Sequence, residues 1–339
     1  MNMKTMDNLI DSLDRPLRDL RISVIDQCNF RCAYCMPEKE YAHRSFLNRE
    51  ELLSFQEIER IVQAFALLGV NKLRITGGEP LLRKNLPDLI NKLSGISGIN
   101  DIALTTNGYY LPLYSKYLKE AGLKRVNISL DAMEDSIFTK MNGRNVKVSS
   151  ILKGIFAAKE AGLEVKINMV VQKNVNDHQI IPMVQFFKEN DMTLRFIEFM
   201  DAGNSNGWKL DQVVTIKEIH DRIQAQYPLE QVSFRYYGEV AKRYRHVGTN
   251  AEIGYISSVS DAFCSTCTRV RLSADGKIYK CLFANQGFDI KKLMREGAST
   301  GQIVASVKDI WKGRTDRYSE DRVNDTNQER KIEMYYIGG

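Results

Sequence analysis

The feature that most constrains the fold is an alternation of strand-like and helix-like segments through the first two thirds of the 339-residue chain. Short β-branched runs are followed by longer segments whose apolar residues recur at helical spacing, a pattern typical of a parallel sheet with helical crossovers. Eight such units would close a TIM-type barrel, so six predict an incomplete (βα)6 barrel with a lateral gap. The predicted strands span 20–24, 72–76, 101–105, 125–130, 165–171 and 193–198, and the predicted crossover helices span 58–68, 86–93, 111–121, 148–161 and 179–189.

The pattern changes after Pro228. Shorter β-like runs, an Asp275-Gly276 hairpin turn and two further helical stretches predict an α+β region that covers the open side of the barrel. We therefore expect two units, a partial barrel with an N-terminal arm (1–228) and a C-terminal region (229–339). Within the first unit, we expect residues 1–19 to be an irregular arm and 36–53 to be loop.

Polar and glycine-rich residues follow the predicted strands at the points where they end. A cysteine loop follows the first strand, Gly77-Gly78-Glu79-Pro80 the second, Thr106-Asn107-Gly108 the third and Asp131 the fourth. In parallel α/β architectures the active site lies at the carboxyl ends of the strands. The sequence therefore predicts an active site at this end of the barrel.

The six cysteines fall into two groups of three. The first group has a C-x₃-C-x₂-C spacing, and three thiolates are one fewer than a closed zinc site or a ferredoxin-type cluster uses. A 4Fe–4S cluster held here would leave one iron open to bind a small molecule. A zinc site completed by His43 is the alternative, and the chain length disfavours a disulfide framework. The first group is Cys28, Cys32 and Cys35, and the second is Cys264, Cys267 and Cys281.

Two arginines lie within the second group, between Cys267 and Cys281. Arg269 and Arg271 are two residues apart, so they share one face of an extended segment. A zinc site with His246 as fourth ligand is one interpretation of these cysteines. A second open 4Fe–4S cluster beside two arginines is the other, and it would form a site for an electron-rich, anionic ligand.

The first cysteine loop and Gly77–Pro80 together resemble the signature motifs of the radical S-adenosylmethionine (SAM) enzymes. The resemblance implies that the open iron holds the methionine end of SAM. It also implies that the glycines let the backbone approach the amino group of SAM. The residues that match the family's SAM contacts are Tyr34, Gly78, Ser129, Arg195 and Met200.

Along its whole length the chain resembles one radical SAM family, the GTP 3′,8-cyclases of molybdenum cofactor biosynthesis. Gln27 and Asp201 depart from the family pattern, where arginine and proline are expected, and we give these departures no weight because neither is at a ligand position. The match rests on both cysteine groups, 77–80, 103–108, 195–200, 263–269 and the terminal Gly338-Gly339.

This resemblance implies a lyase with two 4Fe–4S clusters and SAM as cofactors. One-electron cleavage of SAM gives a 5′-deoxyadenosyl radical, which abstracts the ribose 3′ hydrogen of GTP. The ribose radical then attacks guanine C8 to give (8S)-3′,8-cyclo-7,8-dihydroguanosine 5′-triphosphate, in the first step of molybdopterin synthesis. The implied substrate contacts are Arg21, Arg74, Thr105, Lys166, Arg269, Val270 and Arg271, and the implied catalytic residues are Arg269, Arg271, Gly338 and Gly339.

The residues themselves support an anionic substrate. Arg21, Arg74 and Lys166 lie on predicted barrel strands, where an inward charge is costly unless it has an anionic partner. The net charge of +6 suits a small anion and is too modest and dispersed to indicate nucleic acid. We interpret the scattered histidines as surface or structural residues.

The expected partners are GTP, an external one-electron reductant and, by resemblance, the next enzyme of pterin synthesis. We expect a cytoplasmic protein without membrane contact, because no apolar run approaches a membrane span. The oligomeric state stays open, with a homodimer among the options. The alternatives are another radical SAM enzyme with an auxiliary cluster, or a non-catalytic iron–sulfur electron carrier.

Overall fold

The structure, a computed structural model, describes residues 9–322 and 330–338. Six parallel strands follow one another in chain order through the centre of one sheet, as the sequence predicted. The sheet is an incomplete TIM-type barrel, and its outer edges continue into the C-terminal region. These strands are β1 (Asp19–Ser23), β2 (Lys72–Thr76), β3 (Asp101–Thr106), β4 (Arg125–Ser129), β5 (Glu164–Val171) and β6 (Thr193–Glu198).

Helices connect these strands at or near the predicted positions. The prediction of loop over 36–53 is wrong at α1, which buries none of its residues and so carries no apolar periodicity. The sequence also missed α5, an eight-residue helix whose buried apolar residues are Phe138 and Met141. The helices of this part are α1 (Glu38–Ala42), α2 (Phe55–Leu67), α3 (Leu86–Ser94), α4 (Leu111–Glu120), α5 (Asp135–Asn142), α6 (Val148–Glu160) and α7 (Ile180–Glu189).

Helix α2 illustrates how the local sequence determines an element. Ser54 and Glu57 form a reciprocal capping box, in which each side chain accepts a hydrogen bond from the other residue's backbone N–H. The apolar face behind it, which includes Ile61 and Phe65, is fully buried. Gly69 adopts a φ of +99° just past the helix end, a conformation that glycine adopts without a steric penalty.

The C-terminal region extends the sheet at both edges. Strand β9 pairs in parallel with β6, and β10 pairs in parallel with β1. The predicted hairpin at Asp275-Gly276 is confirmed between β10 and β11. Helix α8 (Ile216–Gln224) precedes this region, whose elements are β7 (Leu229–Val232), β8 (Lys242–His246), β9 (Glu252–Ile256), β10 (Arg269–Leu272), β11 (Lys277–Tyr279), β12 (Phe288–Asp289), α9 (Ile290–Arg295), α10 (Thr300–Lys312), α11 (Tyr318–Asp321) and α12 (Met334–Ile337).

The described part of the N-terminal arm packs against the rest of the molecule. Leu9 and Leu17 are buried, and a bridge between Ile10 and Pro16 closes the arm into a turn. The backbone carbonyl of Arg18 accepts hydrogen bonds from the start of β2. Residues 9–18 thus join the barrel although they contain no helix or strand. The division of the chain at residues 228 and 229 stays a prediction, and the sheet runs across it.

No helix in the described part of the chain is long and apolar enough to cross a bilayer.

Replacing Phe65 with alanine is expected to lower the free energy of unfolding by about 3–5 kcal/mol, because the ring is fully buried between α2 and the sheet. Leu67→Ala is the matched control in the same helix. Leu67 is 51% exposed, so the change there should stay within about 0.5 kcal/mol. Urea unfolding of the anaerobically purified protein measures both. Equal losses in the two variants would contradict the assignment of the core face.

Candidate active site

One cavity of about 440 Å³ opens within the barrel, and all six cysteines line it. The first triplet comes from the loop after β1, and the second lies beside β10 and β11. The predicted SAM residues and nearly all of the predicted substrate residues line the same cavity. They are Tyr34, Gly78, Ser129, Arg195 and Met200, and Arg21, Arg74, Thr105, Lys166, Arg269 and Arg271.

Val270 is the predicted substrate contact that does not line the cavity. Its side chain alternates to the other face of β10, is 2% exposed and belongs to the hydrophobic core. Any contact between this residue and a ligand in the cavity would have to use its backbone.

The first cysteine loop is held from two sides. The backbone N–H groups of Arg31 and Ala33 donate to the carbonyls of Asn142 and Met141 at the end of α5, at 2.8 and 3.2 Å. The Arg31 side chain donates back to the carbonyl of Cys28 at 2.7 Å. Helix α5, which the sequence did not reveal, therefore supports this loop.

Burial raises the pKa of all three thiols in this loop, and that of Cys28 reaches about 12. The carboxylate of Glu79 adds to the effect at Cys28, and the neighbouring cysteines repel one another as thiolates. Thiolates in such a place are stable only with a cationic partner such as a metal centre. The chemistry of the three donors therefore fits a metal cluster.

Among the described residues, no three His, Cys, Asp or Glu side chains are placed to hold a single metal ion. Neither histidine considered as a fourth zinc ligand lies at the cavity. His43 is exposed at the end of α1. His246 is buried against Tyr227, where burial lowers its pKa to about 4, and it does not line the cavity. Each triplet offers three cysteine sulfurs to one cavity, a donor set that fits an iron–sulfur cluster.

Gly77 and Gly78 are required by contacts within the protein. A Cβ atom at Gly78 would lie 2.2 Å from the carbonyl oxygen of Gln27, and one at Gly77 would lie 2.6 Å from that of Ile25. The Gly78 N–H donates to the Ile25 carbonyl at 2.7 Å. The sequence-based explanation was approach to SAM, whereas the backbone that approaches in this structure is the chain that leads into Cys28.

Glu79 joins the ends of β2 and β3. Its carboxylate is 1% exposed and accepts hydrogen bonds from the backbone N–H of Leu81, the backbone N–H of Asn107 and the hydroxyl of Thr106. Burial raises its pKa to about 7 although these donors oppose the shift. The Asn107 amide donates in turn to Asn29 of the cysteine loop at 2.7 Å. Glu79 thus fixes the loops after two strands relative to the first triplet.

Tyr34 is oriented by Asp131. The phenol donates to the Asp131 carboxylate at 2.8 Å, and the other carboxylate oxygen accepts from the Val170 N–H at 2.9 Å. Burial raises the pKa of Asp131 to about 6. The sequence placed Asp131 at the strand end without a role, and the structure makes it the partner of the cavity-lining tyrosine.

Cationic side chains from successive strands lie side by side on the cavity wall. Arg21 on β1 is paired in register with Arg74 on β2 and with Arg271 on β10. Burial and then the charge of Arg271 lower the pKa of Arg21, and burial followed by Arg74 lowers that of Arg195 to about 10. Burial, followed by Arg195, lowers the pKa of Lys166 to about 8.

Part of this charge is balanced within the protein. Lys166 pairs with Glu164 at 2.6 Å, and Arg125 pairs with Asp101 at 2.8 Å. The depressed pKa values show that the remaining cations repel one another in a poorly solvated space, an arrangement that an anionic ligand would relieve. The sequence analysis missed four further cations on the cavity wall, although Arg125 lies on a predicted barrel strand as Arg21 and Arg74 do. They are Arg125, Arg235, Lys280 and Arg314.

The second triplet differs from the first because cations surround it. Arg269 donates two hydrogen bonds to the Cys267 sulfur at 3.3 Å, and Arg314 donates a third at 3.3 Å. Burial would raise the pKa of the Cys267 thiol, but the two guanidinium groups outweigh it and lower the pKa to about 6. The thiolate form of Cys267 is therefore favoured at neutral pH.

The C-terminal tail reaches the second arginine. Arg271 donates a hydrogen bond to the carbonyl of Gly338, which has a φ of +73°. A Cβ at Gly338 would lie 2.2 Å from a methyl group of Thr76, so both conformation and space require glycine there. Gly339, the other predicted tail residue, lies outside the described residues.

Asp201, which departs from the family pattern at a position that is not a ligand, contacts this tail. Its carboxylate pairs with Lys331 at 2.7 Å and with Arg322 at 2.9 Å, and it accepts a hydrogen bond from the Tyr318 hydroxyl. Burial opposes ionisation, but these donors lower the pKa of Asp201 below its usual value. Nearby, Glu333 accepts from the backbone N–H of Asn204. Sequence could not reveal these contacts, since they join residues more than 100 positions apart.

Comparison with known proteins agrees with this geometry. Residues 22–187 match the radical SAM superfamily model, and residues 192–320 match the model for Molybdenum Cofactor Synthesis C. A GTP 3′,8-cyclase of Staphylococcus epidermidis is 53% identical over 97% of this chain and 98% of its own length. One from Staphylococcus saprophyticus is 50% identical over 98% of this chain and 100% of its own length.

Solved structures show the same fold at low sequence identity. Streptococcus suis SuiB bound to S-adenosylmethionine superposes with a TM-score of 0.62 at 17% identity, covering 92% of this chain and 69% of its own. Native anSMEcpe with bound AdoMet has a TM-score of 0.56 at 18% identity over 94% of both chains. Identity to the curated relatives above 50% across nearly the full length, together with both family models, places the chain more narrowly. The chain belongs to the GTP 3′,8-cyclase family of radical SAM enzymes.

Proposed function

We propose that this protein is a lyase that converts GTP to (8S)-3′,8-cyclo-7,8-dihydroguanosine 5′-triphosphate in molybdenum cofactor biosynthesis. The observation that carries the proposal is a single cavity with a cysteine triplet on either side and a wall of buried cations whose pKa values are depressed. A radical initiator, an anionic substrate and a second metal centre can meet in such a cavity. The family membership of the chain supports the same reaction.

The first triplet and its surroundings are the proposed SAM site. Cys28, Cys32 and Cys35 would hold a 4Fe–4S cluster, which together with SAM supplies one-electron cleavage and a hydrogen-abstracting radical. The protein's part is to orient the cofactor. Tyr34, fixed by Asp131, would pack beside the adenine. The other proposed contacts, carried over from the family, are Gly78, Ser129, Arg195 and Met200.

The cation wall is the proposed triphosphate site. A nucleoside triphosphate brings several negative charges, and guanidinium groups bind phosphate oxygens in pairs. Arg21 and Arg74 lie in register on neighbouring strands, so one phosphate can contact both. Lys166 and the newly recognised Arg125 extend the wall, and Thr105 adds a hydroxyl. Binding would restore the ordinary pKa values of these groups by replacing repulsion with attraction.

The second triplet is the proposed guanine end of the site. Cys264, Cys267 and Cys281 would hold a second 4Fe–4S cluster with an open iron, and Arg269 and Arg271 would neutralise charge that develops on the nucleobase. Arg271 is held by the Gly338 carbonyl, so the tail sets the position of a catalytic group. We include Gly339 in this role from the family resemblance.

We extend the proposal to the electron donor, the next enzyme and the cellular location of the protein. The electron for SAM cleavage would come from an external one-electron reductant, and the product would pass to the next enzyme of pterin synthesis. Residues 1–228 would carry the radical chemistry, while residues 229–339 would carry the second cluster and complete the substrate site. We place the protein in the cytoplasm, with a homodimer as one arrangement to be tested.

The direct test is anaerobic. The protein is reconstituted with iron and sulfide, reduced and given SAM, and 5′-deoxyadenosine and the cyclised nucleotide are quantified with GTP, with ATP or without nucleotide. Deoxyadenosine and product that rise with GTP and not with ATP are expected. Deoxyadenosine independent of GTP would indicate another radical SAM enzyme, and its absence from the iron-loaded protein would indicate an electron carrier.

Lys166→Ala is expected to raise the KM for GTP by about tenfold or more, since a hydrogen bond to a charged group contributes about 1.5–3 kcal/mol. Preference for GTP over guanosine should fall by a similar factor, because guanosine lacks the phosphates. Lys124→Ala, which removes an exposed lysine, is the control and should leave both unchanged. Steady-state kinetics with the two substrates measure the effect. An unchanged KM in the Lys166 variant would remove this lysine from the site.

GTP affinity should fall as the pH rises from 7 to 9. Burial and Arg195 lower the pKa of Lys166 to about 8, so the free protein loses this positive charge as the pH passes that value. Below pH 8 the ammonium group is present and attracts the triphosphate, whereas above it the protein must first recapture a proton. Lys166→Arg should abolish the dependence because arginine stays protonated. Equilibrium dialysis of GTP at several pH values checks this, and parallel profiles for the two proteins would contradict it.

Asp201→Ala is expected to release the C-terminal tail and lower GTP turnover, because the acid anchors Lys331 and Arg322. Hydrogen exchange at residues 333–338 should accelerate by about tenfold or more, as local opening becomes easier. Asp211→Ala, at an exposed aspartate, is the matched control. Mass spectrometry gives the exchange rates, and product assays give turnover. Unchanged exchange would show that the tail is held by other contacts.

A further inference from the structure

A cluster of four charged residues lies beside the second cysteine triplet. Arg15 and Arg314 are 0% and 2% exposed, and neither was identified from the sequence. Arg15 pairs with Asp11 at 2.6 Å, and Arg314 pairs with Asp316 at 3.2 Å. Asp11 also lies 3.8 Å from Arg314, so the two pairs form one network. We call these four residues the charged cluster.

Such a network is expensive to bury. Two guanidinium groups and their carboxylate partners lose their hydration on burial, and their mutual attraction offsets only part of that loss. A protein with apolar residues of similar volume at these positions would often be equally stable. The remaining donors of the two arginines therefore indicate what the network does. Arg15 donates to the carbonyl of Cys264 at 3.0 Å, and Arg314 donates to the carbonyl of Cys267 at 3.0 Å. Each arginine thus holds one member of the C-x₂-C pair.

Arg314 also contacts a ligand atom itself, since it donates to the Cys267 sulfur at 3.3 Å. Its position is fixed independently of any substrate. It lies over the ring of Trp311, and its own carbonyl accepts a hydrogen bond from Ser12 in the N-terminal arm. The Trp311 indole donates in turn to the carbonyl of Arg15 at 3.1 Å. These contacts between the N-terminal arm and the end of α10 therefore hold both segments in place beside the triplet.

The positive charge of these arginines would affect the reduction potential of a cluster held at the triplet. Reduction adds negative charge to an iron–sulfur cluster, and hydrogen bonds and positive charge at its ligand sulfurs stabilise the reduced form. Arg269 contacts the same sulfur from the cavity side, where substrate is proposed to bind. Arg314 also lines the cavity, but its contacts with Trp311, Asp11 and Asp316 hold it in place, so its effect is present whether or not substrate is bound.

We propose that the charged cluster positions the Cys264–Cys267 pair and that Arg314 raises the reduction potential of the iron–sulfur cluster held by the second triplet. Arg314 is a positioning and tuning residue in this role, with Arg15, Asp11 and Asp316 holding it in place. The inference rests on the proposed second cluster. It also assigns a function to the N-terminal arm, which is more than 240 residues away in the chain from the cysteines that it supports.

The test is a potentiometric titration followed by electron paramagnetic resonance on the full-length chain. Cys28, Cys32 and Cys35 are all replaced by alanine in every sample, so that signal from the first triplet is absent. Into this background go Arg314→Gln, which removes the charge, and Arg314→Lys, which keeps the charge and loses the two-point contact. Lys312→Ala is the control, an exposed cation at the end of α10 and two residues before Arg314.

We expect the midpoint potential to shift to lower values in Arg314→Gln, to shift less in Arg314→Lys and to stay unchanged in Lys312→Ala. A purely structural role would lower the melting temperature or the iron content without this ordered shift. Equal potentials in the lysine, glutamine and parent proteins would overturn the inference. If Arg314→Gln takes up no iron, the comparison of Arg314→Lys with the parent decides, and an unchanged potential there overturns it.

Iron content separates this inference from the function on which it rests. A background protein that holds one four-iron cluster per chain supports the second cluster. A background protein that binds no iron would overturn the second cluster itself, and the tuning role would fall with it. Iron present with an unshifted potential overturns the tuning role alone and leaves the proposed reaction intact.

Discussion

The structure depends on the parallel register of β10, β1 and β2, which places Arg271, Arg21 and Arg74 in one row. Neighbouring strands bring these side chains close together, and burial removes the water that would screen them. Burial lowers the pKa of each of these guanidinium groups, and neighbouring cations lower it further: Arg271 acts on Arg21, Arg125 on Arg74 and Arg269 on Arg271. An anion bound there would relieve this repulsion. Repulsion among these buried like charges therefore destabilises the barrel, and an anion bound there would remove it. Because the row of arginines lies between the two cysteine triplets, it determines where a substrate can lie.

The two cysteine triplets lie in opposite electrostatic surroundings. The first lies among buried, acidic and apolar surroundings, where burial raises the pKa of each thiol. At the second, two guanidinium groups outweigh burial and lower the pKa of Cys267 to about 6. Clusters in such different surroundings would differ in potential, since charge and hydrogen bonds at the sulfurs set that quantity. Under the function proposed above, the cluster at the second triplet would favour the reduced state more than the cluster at the first.

The C-terminal region extends both edges of the barrel sheet and also supplies part of the cavity. Strands β9 and β10 pair in parallel with the two edges of the (βα)6 sheet, so few backbone groups stay unpaired there. The same region delivers the second triplet, Arg269 and Arg271, and the tail residue Gly338, which lies beside Thr76. Asp201 anchors that tail from the loop after β6, so a residue that departs from the family pattern links the two parts of the site.

The sequence by itself determined the strands and crossover helices, the two cysteine groups and the inward cations Arg21, Arg74 and Lys166, because each follows from local periodicity or spacing. It also located the glycines of 77–80, although the contact that requires them is with the chain before Cys28. Only the tertiary structure decided the roles of helix α5, Arg125, Asp201 and the charged cluster. These depend on contacts between residues far apart in the chain, such as Arg15 with Cys264, and no local pattern records which distant segments will meet.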